Sequence, residues 1–137
     1  MADLPPRGEG MAGDRAIRRL LNRSWPADLP AGQARTLVAL GRKVLLADLT
    51  GLGRRSFPTA FPTPAGRPGA VAPAFTRIRI QAAIARKDPA APARAVVHLV
   101  WAGADRGGTY TDGRLTDLTF RPLKGDDRWI PLPPATT

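Results

Sequence analysis

Between residues 75 and 104 apolar and polar positions alternate with a period of two. Ile78, Ile80, Ala82 and Ile84 interleave with Arg77, Arg79, Gln81 and Ala83, which predicts a strand with one buried and one wet face. A short Pro-containing turn follows. In the next stretch Val97, Leu99 and Trp101 fall on one side and Val96, His98 and Val100 on the other, so this second strand is expected to be buried on both faces.

Upstream, the period changes to that of a helix. Asp14 is placed to cap a short helix over residues 15–22, in which Ile17, Leu20 and Leu21 form one apolar stripe. Arg15, Arg18, Arg19 and Arg23 fall largely on its other side. Two prolines bracket a connector over residues 24–30, where Trp25 is expected to lay its ring on the core. A longer helix is predicted over residues 31–49, with Leu37, Leu40, Val44 and Leu45 as its stripe, widened by Val38 and Leu49. Gly51 and Gly53 end it, and Gly41 leaves room for close approach to a sheet.

Downstream, Asp112-Gly113 signals a two-residue turn into a strand over residues 114–121, with Leu118 and Phe120 on one face. A turn at Lys124-Gly125-Asp126 leads to a short strand over residues 128–132, anchored by Trp129 and demoted to a sheet edge by Pro131. The order implies an α+β domain: two N-terminal helices packed on one face of a curved antiparallel sheet of about four to five strands. Residues 14–132 form that single domain, with a flexible arm at 1–13, a Pro-rich excursion at 53–73 and a tail at 133–137.

Composition adds constraints. A chain of 137 residues can bury one core, and 14 Gly with 15 Pro leave room for irregular arms around it. The formal net charge of +10 favours polyanionic partners. Arginine carries nearly all of it, the usage of a GC-rich genome, so composition alone is a competing origin. Arg77 and Arg79 on the wet face of the hairpin, with Arg86, Lys87 and Arg94 near its turn, could contact phosphates without reading bases; they could equally pair with a partner subunit. No cysteine is present, so disulfides and thiolate sites are excluded. No apolar run approaches the roughly 20 residues that cross a bilayer and the N-terminus is polar, so membrane insertion is not expected and a cytoplasmic location is.

Candidate chemistry is sparse. His98 is the only histidine; it is either a tuned base in a pocket with Trp101, Tyr110 and Asp117, or a core histidine satisfied by a neighbour. One histidine and no cysteine make too poor a ligand set for a transition metal, and no cofactor motif is present. GADRGG at residues 103–108 lacks the lysine and hydroxyl of a phosphate loop and reads as a turn. In the excursion, Arg54, Arg55, Phe57 and Phe61 could insert into a protein partner or a second copy; alternatively both rings cover the chain's own core.

AVVHLVWAG at residues 95–103, GGTYTDGRLTDLTF at 107–120 and GDDRWIPL at 125–132, preceded by two helices, resemble the cone-shaped NTF2-like superfamily. The long connection at 53–73 departs from that family's compact one. The chain also looks like short actinobacterial proteins of unassigned role, some linked with mobile elements. The resemblance implies either an enzyme or binder working inside the cone or a module of assembly or transport. The residues favour a non-enzymatic interaction or assembly module, such as a structural component of a phage or mobile-element assembly. A small-molecule enzyme or binder using a cone pocket, and a sequence-independent nucleic-acid binder, stand as alternatives.

Overall fold

A computed structural model describes residues 10–25, 27–61, 74–123 and 128–133. The expected turn at Lys124-Gly125-Asp126 lies outside them. So do most of the N-terminal arm, most of the Pro-rich excursion and nearly all of the tail. The described residues form helices α1 (Gly10–Ser24) and α2 (Ala31–Thr50), a short 3-10 turn (Arg54–Ser56), and strands β1 (Phe75–Asp88), β2 (Ala91–Asp105), β3 (Tyr110–Pro122) and β4 (Trp129–Pro131). The strands make one antiparallel sheet in the order β1-β2-β3-β4. This is the expected α+β class, with the expected helices and a four-stranded meander.

The helices do not share one face, which corrects the expectation. Leu37, Val44, Leu45 and Leu49 of α2 pack with Val97, Leu99, Trp101, Leu118 and Phe120. Leu21 of α1, with Ile17 and Trp25 beside it, packs with Ala82, Ile84 and Val100. Because neighbouring strand residues point to opposite faces, these two clusters lie on opposite sides of the sheet. Burial of β2 on both faces, from Ala95 through Ala104, follows from having a helix above and a helix below.

A bulge decides which isoleucines meet which helix. Ile80 pairs with Trp101 but Ala82 pairs with Val100, so Gln81 is one residue too many for its partner strand and reverses the parity beyond it. Ile78 and Ile80 therefore pack toward α2, whereas Ala82 and Ile84 pack toward α1. Gln81 is buried; its side-chain carbonyl accepts from the Gly113 N–H at 2.9 Å, and its amide donates to Asp14 at 3.4 Å.

Two local expectations also change. Helix α1 begins at Gly10, inside the expected arm, and Asp14 lies in its second turn, with a carboxylate oxygen 2.7 Å from Arg79 Nη1. Asp112-Gly113 is not a hairpin turn. Strand β3 runs straight through it with a register shift, and Gly113 has φ 67°; the β2–β3 connection lies earlier, where Gly108 N–H donates to the Asp105 carbonyl at 3.0 Å. Other expectations hold. Gly51, at φ 78°, closes α2 by donating to the Ala47 carbonyl. A Cβ on Gly41 would lie 2.9 Å from Val97 Cγ1, so glycine lets α2 lie directly against β2.

Candidate functional site

The His98 cluster is built from three strands and the connector that follows α1. Strand register sets His98 opposite Ile84 on β1 and opposite Asp117 on β3. Its Nδ1 lies 2.7 Å from Asp117 Oδ1, and Arg86 Nε donates to its Nε2 at 2.8 Å. A nitrogen that accepts cannot also carry the ring proton, so the proton resides on Nδ1 and is shared with Asp117. Trp25 lies over the imidazole with centroids 3.8 Å apart and planes 5° from parallel, and the Arg86 guanidinium sits 5.5 Å from the Trp25 ring centre. With His98 3% exposed, no ring nitrogen is left to take a proton from a substrate. The arrangement locks the connector between the helices onto the sheet. His98→Phe keeps a ring under Trp25 but strands Arg86 and Asp117; a loss of about 1–3 kcal/mol is expected, read from urea unfolding.

The four expected pocket residues do not converge. His98 and Asp117 stand on the α1 side. Trp101 stands on the α2 side, buried, with Nε1 donating to Thr116 Oγ1 at 3.0 Å. Tyr110 is exposed at the start of β3, with the Arg77 guanidinium 5.4 Å from its ring centre. Arg77 occupies another bulge and has φ 51°, a left-handed conformation that a non-glycine residue rarely adopts.

The residues expected to dock a protein partner serve the chain's own fold in three cases of four. Phe57 and Phe61 pack against the α2-side core. Arg54 donates to the carbonyls of Ala47 and Asp48 at 3.0 and 2.7 Å, closing the end of α2 where the carbonyls carry partial negative charge, and lies 5.0 Å from the Phe61 ring centre. Arg55 is exposed. Beside them, burial pushes the Asp48 carboxyl above its ordinary value, an effect that the Arg54 guanidinium partly offsets.

The five cations expected to meet polyanions divide. Arg79 is paired with Asp14, Arg86 with His98, and Arg77 covers Tyr110. Lys87 and Arg94 do come together, at the end of the sheet where β1 turns into β2. There they line an open hollow of about 630 Å³ with Gln33 and Thr36 from the start of α2, and with Arg128 and Trp129 at the start of β4. Connectivity explains the convergence. In a meander the end of β1, the start of β2, the end of β3 and the start of β4 share one end of the sheet, and α2 begins over that end. Lys87 is held in place through its backbone, whose N–H donates to Asp28 Oδ1 at 2.7 Å.

Sequence reasoning found Lys87 and Arg94 but missed Arg128 and Trp129 as their neighbours. The available signal was the up-and-down strand order, which places residues 87, 94, 122 and 128 together. Among the described residues no cluster of His, Asp or Glu could hold a metal ion, and no helix is long and apolar enough to cross a membrane. Comparison with protein-family models, with curated proteins and with solved structures finds no match to this chain.

Proposed function

We propose that the chain is a non-enzymatic interaction module that holds a nucleic acid through phosphate contacts, without base readout, at the hairpin end of its sheet. The observation that carries this reading is the gathering of Lys87, Arg94 and Arg128 around one open hollow with Trp129 in its wall. Three cations in a concave surface focus positive potential, and a phosphate chain laid there releases condensed counterions. Among the described residues the hollow has no array of buried, oriented donors and acceptors of the kind that tells one base edge from another. Binding is therefore indifferent to sequence. His98 does not compete as a reactive centre, because both its nitrogens are engaged inside the fold. The division of His98 and Trp101 between two faces favours a ligand at the surface over one enclosed in a cone.

The test is anisotropy of a labelled oligonucleotide of random sequence at low salt. Binding is expected for the native chain. In a chain whose Arg15, Arg18 and Arg19 are alanine, so that α1 cannot contribute, the further change Lys87→Ala/Arg94→Ala should weaken binding, with a log–log salt slope shallower by about 2, or about 1 for each lost contact. Absence of binding at low salt, or equal affinity and slope after that further change, would remove the proposal.

A further inference from the structure

The outer side of α1 carries a second basic surface, one that the hollow does not use. Arg15, Arg18, Arg19 and Arg23 are exposed. At 3.6 residues per turn they span an arc of roughly 140° and run about 12 Å along the helix. The opposite side of the helix is occupied: Ile17 and Leu21 pack on the sheet, and Asp14 pairs with Arg79. Arg15, Arg18 and Arg19 have no acidic partner among the described residues. The hollow belongs to the α2 side, since Gln33, Thr36 and Trp129 line it and Trp129 packs against the α2-side core. The two basic surfaces thus lie on opposite sides of the sheet.

We infer that one molecule bridges two nucleic-acid segments, one laid against the arginines of α1 and the other in the hollow beside α2. This rests on the nucleic-acid reading above. A basic helix can also lie on an anionic membrane, but there it buries its apolar side among the lipids. Here Leu21 is buried and Ile17 partly buried against the sheet, and among the described side chains of α1 the arginines and Leu20 are what this helix presents outward besides the small polar Asn22 and Ser24, which suits a phosphate chain. The spacing also permits two segments at once. Helix α1 and the sheet separate the two surfaces by roughly 20 Å, taking about 10 Å per layer. That is well beyond the Debye length of about 8 Å at physiological ionic strength, so the segments barely repel one another.

The experiment uses the full chain and two duplexes of unrelated sequence, one immobilised on beads and one labelled in solution. The native protein should carry labelled duplex onto the beads. Arg15→Ala/Arg18→Ala/Arg19→Ala should lose most of that capture while still binding a single labelled duplex in anisotropy. Exposed helical sites accept alanine without destabilisation, so an unchanged thermal midpoint is expected and confirms that the variant is folded. Native protein that binds duplex but captures none would overturn bridging and leave the binding proposal standing; native protein that binds no duplex would overturn both. Undiminished capture by the triple variant would assign bridging to self-association and overturn the two-surface account. Arginine-dependent sedimentation with phosphatidylserine vesicles, without capture of duplex, would assign the α1 surface to a membrane and overturn it too.

Discussion

Trp101→Ala is expected to remove about 3–5 kcal/mol from the stability of the domain, measured as the shift in its urea unfolding midpoint at unchanged slope. A domain of this kind is stable by about 5–15 kcal/mol in total, so the variant gives up a large fraction of it. The reason lies in how many groups use the indole. It is 4% exposed among Leu99, Ile80 and the α2 stripe. The Phe75 ring meets it edge-on, with centroids 4.9 Å apart, the Arg114 guanidinium lies 5.5 Å from its centre, and a Cβ on Gly103 would lie 3.2 Å from its Cζ3. Truncation opens a cavity that two rigid strands and a helix cannot close. Trp101→Phe retains most of the buried area and gives up the bond to Thr116, so a loss of about 1 kcal/mol is expected. A ligand-lining tryptophan would behave differently, with alanine leaving the midpoint nearly unchanged; a shift below about 1 kcal/mol would show that Trp101 is not a core residue.

The same residue shows what the sequence makes legible. The double-sided apolar run from Ala95 to Ala104 could be read directly as a strand with no wet face, and a strand buried on both faces needs cover on both. With two helices available, one above and one below is the arrangement that supplies it, so the opposite-face packing was open to inference from β2 alone. The parity of β1 was not. Its isoleucines keep perfect alternation in the sequence, and only pairing with β2 reveals Gln81 as an extra residue that turns Ile84 away from Ile80. Asp112-Gly113 misleads for a related reason. A tight hairpin turn and a glycine bulge both call for a residue at positive φ, so the dipeptide marks the conformation without saying whether the chain reverses.

The two sites differ in the same way. That His98 is a satisfied core histidine was one of the two readings open from composition, but the partners could not be named. Asp117 and Arg86 follow from strand register, Arg86 standing two residues from the β1 partner of His98, while Trp25 reaches the imidazole because α1 covers the second face. Lys87 and Arg94 were visible as a basic pair flanking a turn. Arg128 lies 34 positions beyond Arg94 in the chain, and strand order alone brings it to the same hollow. Arg79 and Arg86, equally basic and equally close in sequence, are taken up by internal partners, a distinction that charge patterning does not carry.

Salt should separate a built phosphate surface from a merely basic composition. Each phosphate neutralised on duplex DNA contributes about 0.9 to the log–log slope of affinity against salt. With Lys87 and Arg94 as its contacts, the hollow alone gives a slope of about −1.8, and raising salt from 50 to 200 mM weakens single-duplex binding there roughly 12-fold. Capture of a second duplex adds Arg15, Arg18 and Arg19 to the count. Its slope should then approach −4.5, and the same fourfold change in salt should reduce bridging roughly 500-fold. Lys87→Ala/Arg94→Ala should return the bridging slope to about −2.7, and the α1 triple variant should hold single-duplex binding at its original slope. Arginines that reflect genome composition alone would give a different pattern. Binding would then follow total charge, and two alanines in the hollow would matter no more than two at exposed Arg35 and Arg42 on α2. Equal slopes for those two double variants would refute the hollow as the binding surface.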